Sequence, residues 1–449
     1  MRSIRFILVL IIIGCFVLFY SIGYTQRDEN EIFENSSLFT KVFIKIKRNY
    51  VEDVQTRDLF NGAINGMLTT LDPYSDFLTP EVFREMKVET SGNFGGIGIE
   101  VTKKKPVDQS PIHVITPMLG TPAYEAGIMA GDDITKIEEK STYEMSLNKA
   151  VSLMRGKPGT TIKITVHKKD TDKEVEMELK REIIHIESVK FVRFLDADTG
   201  IGYIKLETFA ENSASELKDA VNQLLDHGMK GLILDLRFNP GGLLESAVDV
   251  SDLFLDSGLI VATMTRDNAP QVLKNQNNRM LSAKKETTVA DFPMIIMINK
   301  ASASASEIVA GALKDHHRAV LVGENTFGKG SVQTLFQINK GREMYALKLT
   351  TANYYTPSGY RKKPRISIAN KGIEPDIKVE LTREQFADLF KARQQDWIEY
   401  NKARTGSDSA KDFLKKSFPP NPKDIQLIEA LRILKKNLTL GKTKLKQAA

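Results

Sequence analysis

Between Phe6 and Tyr24 the chain carries no charged residue, and Arg2 and Arg5 stand ahead of that run. At about 1.5 Å rise per residue, a helix of this length crosses a bilayer. Arginines on its N-terminal side place the remainder of the chain outside the cytoplasm. Three fates fit the pattern: a retained signal anchor, a cleaved signal peptide, or a lipoprotein signal. For the last, Ile12, Ile13, Gly14 and Cys15 loosely match a lipobox, although Phe16–Phe19 continue the apolar run. A polar linker, Gln26–Glu34, precedes two stretches of helical period. Phe39, Val42, Phe43 and Ile46 mark a helix over Phe39–Tyr50, and Leu59, Ala63, Ile64 and Leu68 a second over Thr56–Leu71, ended by Asp72 and Pro73. Two short helices bury little alone, so they are expected to pack on another domain or on a second copy of the chain.

The pattern changes at Gly92. Phe94–Ile99 is glycine-rich and runs into a strand ending at Val101; Ile112–Thr116 is a second strand, and Thr121–Ile128 a short helix and turn. A tight turn at Gly131 leads into another strand. Leu147, Ala150, Val151 and Met154 then form one face of a helix, and Ile162–His167 is a strand. From Gly200 strands alternate with amphipathic helices, the mark of an α/β core: strand Gly200–Leu206, helix Ala214–His227, strand Gly231–Leu236, helix Leu244–Phe254 and strand Met294–Ile298. Arg266–Asp291 is polar and aperiodic and reads as a long surface loop. After Gln333 the chain is strand-rich, and helices return over Thr382–Tyr400 and Asp424–Leu438. The expected organisation is an apolar segment (1–25), a helical region (26–91), a glycine-led module (92–182), an α/β domain (183–381) and a C-terminal helical region (382–449).

With 449 residues, 41% of them hydrophobic and 27% charged, the chain has ordinary globular composition and room for several domains. Its net charge of +6 is gathered in short runs such as Lys103–Lys105 and Arg361–Arg365. These read as solvated faces rather than a nucleic-acid surface, because no basic helix is interleaved with stacking aromatics. The single cysteine, Cys15, excludes an internal disulfide and a cysteine-based metal site, and the six histidines show no metal-ligand spacing. No metal or cofactor is expected.

Candidate chemistry lies just after the strand Met294–Ile298. Ser302, Ser304 and Ser306 alternate with alanine, and a helix with Ile308, Val309, Ala312 and Leu313 on its inward face follows. Ser304 and Glu307 have capping-box spacing, which places Ser304 at the helix N-terminus beside the first free backbone N–H groups. Such a hydroxyl serves either as a cap or as a nucleophile next to an oxyanion hole. Upstream, Asn239, Pro240, Gly241 and Gly242 follow the strand Gly231–Leu236, a junction where backbone approaches a ligand closely. Downstream, Lys329 stands between two glycines, with Gln333 four residues later. If this segment is extended, positions 329, 331 and 333 share a face. The nearest histidines, His316 and His317, follow the helix that Ser304 begins, too far along it for a Ser/His/Asp triad.

The glycine-led module resembles a PDZ domain. The implied chemistry is capture of a peptide's C-terminal carboxylate by the backbone of Gly96, Ile97, Gly98 and Ile99, with the ligand added as a strand to the sheet edge. Together with Leu71–Ser75, Asp235–Gly242 and Ser302–Gln333, it makes the chain resemble the carboxyl-terminal processing peptidases, or tail-specific serine proteases. The resemblance runs from about Phe39 to Val379. It implies a multidomain α/β fold: a PDZ domain and a crotonase-like α/β protease core flanked by helical segments. It also implies a serine endopeptidase with Ser304 as nucleophile, Lys329 as general base, Gln333 as its hydrogen-bond partner, and the N–H groups of Ala305 and Gly241 as oxyanion donors. A lysine base must lose about 3 pKa units, about 4 kcal/mol, which burial of the ammonium supplies. Expected partners are protein or peptide substrates with apolar C-termini, the membrane through the N-terminal segment, and a second copy of the chain; the location is the bacterial cell envelope, anchored in the inner membrane with the catalytic part in the periplasm. The alternative is a catalytically silent, membrane-anchored PDZ adaptor.

Overall fold

The computed structural model describes residues 30–103, 110–118, 120–369, 371–405 and 413–440. The apolar segment Phe6–Tyr24 lies outside these residues, and among them no helix is long and apolar enough to cross a membrane. Two compact units are present. One comprises the described residues up to Leu78 with Leu335–Asn339 and Tyr345–Leu349; the other holds the remainder.

In the first unit, helix α1 (30–49) begins inside the stretch expected as a linker, and helix α2 spans Thr56–Thr69. Phe39, Phe43 and Phe60 cluster between them, Phe43 and Phe60 with centroids 4.6 Å apart. Strand β1 (Asp76–Leu78) pairs antiparallel with Ala346–Lys348, and Phe77 stacks on Tyr345 at 5.4 Å. Much of the apolar face stays in solvent: Ile32 is 66% exposed and Phe33 76%. An open cleft of about 1010 Å³ runs along Phe39, Phe43, Phe60, Ile64 and Met67.

The second unit begins with helix α3 (Pro80–Ser91), which Gly92 ends in the left-handed conformation. Strand β2 (Asn93–Gly96) pairs antiparallel with β9 (Glu182–His185), so the chain enters and leaves the inserted module through one two-stranded ribbon. Inside it, β3 (Ile99–Thr102), β4 (Ile112–Pro117), β5 (Asp133–Ile137), β7 (Thr161–Lys168) and β8 (Lys173–Lys180) form an antiparallel sheet in that order, with the short β6 (Lys140–Ser141) on β5. Helices α4 (Pro122–Glu125) and α5 (Leu147–Met154) complete it around Ile97, Ile112, Val114, Ile134, Ile164 and Met154.

The remaining sheet runs β10 (Val189–Asp196), β11 (Ile201–Leu206), β12 (Gly231–Asp235), β15 (Met294–Ile298), β16 (Val320–Gly323) and β19 (Ile377–Lys378). Its first pair is antiparallel and all later pairs are parallel. Helices α6 (Ser213–Asp226) and α9 (Ala305–Asp315) and the C-terminal helix Ile425–Thr439 pack on it, with α7 (Leu244–Asp252) against α6 and α9, which is why β11, β12, β15 and β16 are buried along their whole length. The expected loop Arg266–Asp291 is partly ordered: it contains α8 (Gln271–Asn277) and β14 (Arg279–Ser282), the latter paired with β13 (Leu259–Met264). Its polar sequence hid a strand whose partner lies earlier in the chain. Strands β17 (Ser331–Lys340) and β18 (Glu343–Tyr355) form the late hairpin, α10 (Pro357–Arg361) follows, and α11 (Arg383–Thr405) precedes the C-terminal helix.

Candidate active site

Parallel neighbours β12 and β15 end side by side, and each runs into a turn with a residue in the left-handed region. After β15, Asn299 N–H donates to Ser302 Oγ at 3.0 Å, and Ser302 Oγ donates to the Leu236 carbonyl at 2.8 Å. Ser306 Oγ donates to the Asn239 carbonyl at 2.9 Å. Both of these serines are 0% exposed and serve the fold. Ser304 differs: it is 8% exposed and sits at φ 56°, ψ −111°. A non-glycine residue there costs about 1–3 kcal/mol, and such strain persists only where the surroundings fix it.

Glu307 does the fixing. Its carboxylate is fully buried and accepts four hydrogen bonds, two on each oxygen. Oε2 takes the Ser304 N–H at 2.8 Å and the Lys329 N–H at 2.9 Å; Oε1 takes the Gly328 N–H and Thr326 Oγ1, each at 2.6 Å. Thr326 Oγ1 itself accepts from Ile373 N at 2.6 Å, so its proton is committed to Glu307. All four acceptor positions of the carboxylate are thereby filled. Burial raises the Glu307 pKa above its ordinary value, and the bonds from Thr326, Gly328, Ser304 and Lys329 oppose that rise. The expected capping box is therefore present, and the same carboxylate also holds a loop more than twenty positions downstream. Ser304 N and Lys329 N share one oxygen, which keeps the two main chains within about two hydrogen-bond lengths of each other. Phe327 N–H adds a further tie, to the Ser302 carbonyl at 3.0 Å.

Lys329 is half-buried and precedes β17, which starts at Ser331. A Cβ on Gly330 would lie 2.2 Å from the Ala369 nitrogen, so the glycine after Lys329 is demanded by a passing backbone. Gln333 Nε2 donates to Ser331 Oγ at 2.9 Å and Thr350 Oγ1 at 3.2 Å. The shared face thus joins positions 331 and 333 within the strand.

Asn239 is the matching hub after β12. It is fully buried; its Nδ2 donates to the Leu206 carbonyl at 2.8 Å, and its own carbonyl accepts from Ala303 N at 3.1 Å. Its Oδ1 accepts the Gly241 N–H at 2.9 Å. Gly241, at φ 103°, is packed against the Ser304 turn: a Cβ there would lie 2.9 Å from both Ser304 Cβ and Ala305 N. Of the two expected oxyanion donors, the Ala305 N–H opens helix α9 and makes no main-chain hydrogen bond among the described residues. The Gly241 N–H is engaged by Asn239 in this arrangement, a side-chain bond that the motif's spacing did not reveal. His316 lies at the far end of α9, where Nε2 bonds the Leu259 carbonyl at 2.8 Å.

In the inserted module, Gly96 ends β2 and Ile99 starts β3. Ile97 is 1% exposed, and its carbonyl accepts from Ala123 N at 2.9 Å. Gly98 stands at φ 72°, its carbonyl accepting from Met118 N at 2.9 Å and Thr121 Oγ1 at 3.0 Å. In the module's sheet β3 is an edge strand, bonded on one side by β4.

Comparison with known proteins gives the family and two of its domains. Residues 200–379 match the model of peptidase family S41, and residues 95–179 that of the PDZ domain. Over 98% of its length the chain is 37% identical to a carboxy-terminal-processing protease of Bartonella bacilliformis, covering 97% of that protein. The chain belongs to peptidase family S41. This S41 peptidase is also 38% identical to the carboxy-terminal processing protease CtpA of Bacillus subtilis, over 76% of this chain and 68% of that one. Residues 21–82 match the N-terminal domain of the activating protease CtpB. Among solved structures, a photosystem II D1 C-terminal processing protease is 28% identical, with a TM-score of 0.42 over 77% of this chain and 92% of that one. The chain is thus a serine-type peptidase carrying a PDZ domain on a mixed α/β framework, and the expectation of a peptidase rather than a silent adaptor holds.

Proposed function

We propose that this S41 peptidase is an endopeptidase working through Ser304 and Lys329, fed by its PDZ domain and acting outside the cytoplasm. The observation that carries the reading is the Glu307 carboxylate, which joins the Ser304 and Lys329 main chains through one oxygen. Ser304 Oγ attacks the scissile carbonyl and passes its proton to Lys329 Nζ, which returns it to the leaving amine; water then hydrolyses the acyl-enzyme. The Ala305 N–H receives the oxyanion at the N-terminus of α9. Gly241 joins it by exchanging Asn239 Oδ1 for the oxyanion. Gln333 orients the lysine through the same face that holds Ser331.

The substrate's free C-terminus adds beside the edge strand β3, with its carboxylate at Gly96–Ile99 and its last side chain in the apolar pocket bordered by Leu147 and Val151. Both side chains are partly buried against the module's core. Segment 6–24 anchors the chain in the inner membrane of a bacterial envelope, with the catalytic part in the periplasm. The exposed apolar face of α1 supports self-association. Cleavage of a peptide with a free apolar C-terminus, compared with the same peptide amidated, tests the tail-capture step. Equal kcat/KM for the two overturns it.

A further inference from the structure

Arg237 stands two residues after β12 and two before Asn239, and its side chain is buried. The guanidinium holds two carboxylates at once. Nε reaches both oxygens of Asp235 at 3.1 Å, and Nη2 reaches Asp235 Oδ2 at 2.8 Å. Nη1 and Nη2 then take the two oxygens of Asp424 side-on, each at 2.8 Å, and Nη1 also reaches Gln426 Oε1 at 3.1 Å. Asp424 and Gln426 belong to the C-terminal helical region, well past residue 379 where the family match ends. Asp424 caps the C-terminal helix by accepting the Leu427 N–H at 3.0 Å, and Gln426 Nε2 donates to the Val379 carbonyl at 2.8 Å. The Arg237 main chain is held too: its carbonyl accepts from the buried Lys205 Nζ at 2.5 Å. Burial alone would raise the Asp235 carboxyl, but Arg237 and Lys205 hold it well below the usual carboxylate range.

Buried ion pairs contribute little net stability against apolar residues of equal volume. A side-on guanidinium–carboxylate pair instead supplies fixed geometry. The geometry fixed here is the start of the turn whose Asn239 and Gly241 pack against Ser304.

We infer that Asp424, assisted by Gln426, is a positioning residue for the reaction at Ser304: the C-terminal helix clamps Arg237 and so sets the Asn239–Gly241 turn against the nucleophile. The inference rests on Ser304 being the nucleophile. Its test is kcat and KM of the full chain on a quenched-fluorescent peptide with a free apolar C-terminus, per folded molecule, the folded fraction read by circular dichroism. Asp424→Asn keeps a cap acceptor but turns one guanidinium contact into donor against donor. Its kcat is expected to fall at least tenfold with KM within twofold. Leu434→Ala, on the same helix and packed against Gly231, lowers Tm and keeps kcat. If Asp424→Asn also keeps kcat and only lowers Tm, the clamp is structural and the inference fails. Should Asp424→Asn not fold, Gln426→Met removes one contact to Arg237 together with the bond to the Val379 carbonyl. A several-fold fall in kcat then supports the clamp, and an unchanged kcat overturns it. Ser304→Ala separates the two ideas: cleavage by that variant sinks the nucleophile assignment, whereas an inactive Ser304→Ala beside a fully active Asp424→Asn sinks the clamp alone.

Discussion

Replacing Glu307 with Gln tests how the site is held. A glutamine keeps the shape but has one oxygen and one NH2 group where four donors converge. If its NH2 faces Ser304 N and Lys329 N, two buried N–H groups lose their acceptor. If it faces the other pair, Thr326 Oγ1 accepts from the NH2 as well as from Ile373 N, while the Gly328 N–H is orphaned and the Thr326 hydroxyl proton loses its acceptor. The second orientation wins because it keeps both main-chain bonds and makes a new one to Thr326, and an unsatisfied buried donor costs about 1–3 kcal/mol. The bonds kept to Ser304 and Lys329 also lose the assistance of charge. Against this stands a gain, because burial raises the Glu307 pKa. A folded pKa above the unfolded one means that the native state binds more protons in the interval between them. Stability therefore falls as pH rises through that interval, and the ionised carboxylate costs stability at neutral pH. The glutamine removes that cost, so a net loss of about 2 kcal/mol is expected, and felt at the reacting groups it slows kcat about 30-fold. The assay is kcat by peptide cleavage together with urea unfolding, for both proteins, across pH 4–8. The wild type is expected to lose activity on acidification at a pH above that of an ordinary glutamate, and the variant to lack that titration. A Glu307→Gln enzyme with kcat within twofold of wild type refutes the idea that this carboxylate aligns the two chains.

Other changes probe separate links. Gly98→Ala puts a Cβ 2.3 Å from that of Thr121 at φ 72°; binding of a fluorescent peptide with a free C-terminus, followed by anisotropy, should weaken at least tenfold. Gly330→Ala meets the Ala369 nitrogen at 2.2 Å, so the loop carrying Lys329 must move, and both Tm and kcat are expected to fall. Lys205 is pushed down to about 8 by burial. Between that value and the unfolded value near 10.4 the unfolded chain binds more protons, and stability rises with pH by up to about 3 kcal/mol. Urea unfolding at several pH values across that range should show the rise in wild type and not in Lys205→Met.

Much of the fold could be read from periodicity, because it rests on local patterns. Met294–Ile298 and Leu147–Met154 have the observed bounds, and the α/β alternation from Gly200 is present. The strand β14 escaped because its pairing with β13, and not its own composition, makes it a strand. Within the candidate site, the spacing of Ser304 and Glu307 foretold a capping box. It could not show that the same carboxylate also reaches Gly328 and Lys329, since a long-range bond leaves no local period. The same limit hid the bond from Gly241 N to Asn239 Oδ1 and the hold of Asp424 on Arg237. The preference for Ser304 over its neighbours came from family resemblance; the structure adds that Ser302 and Ser306 are engaged in buried hydrogen bonds.

The central claim concerns one hydroxyl. Ser304→Ala removes it while leaving the main-chain bond to Glu307 intact. Cleavage of a protein substrate with an apolar C-terminus should then disappear while binding of that substrate persists. Residual cleavage by the purified variant would contradict the account.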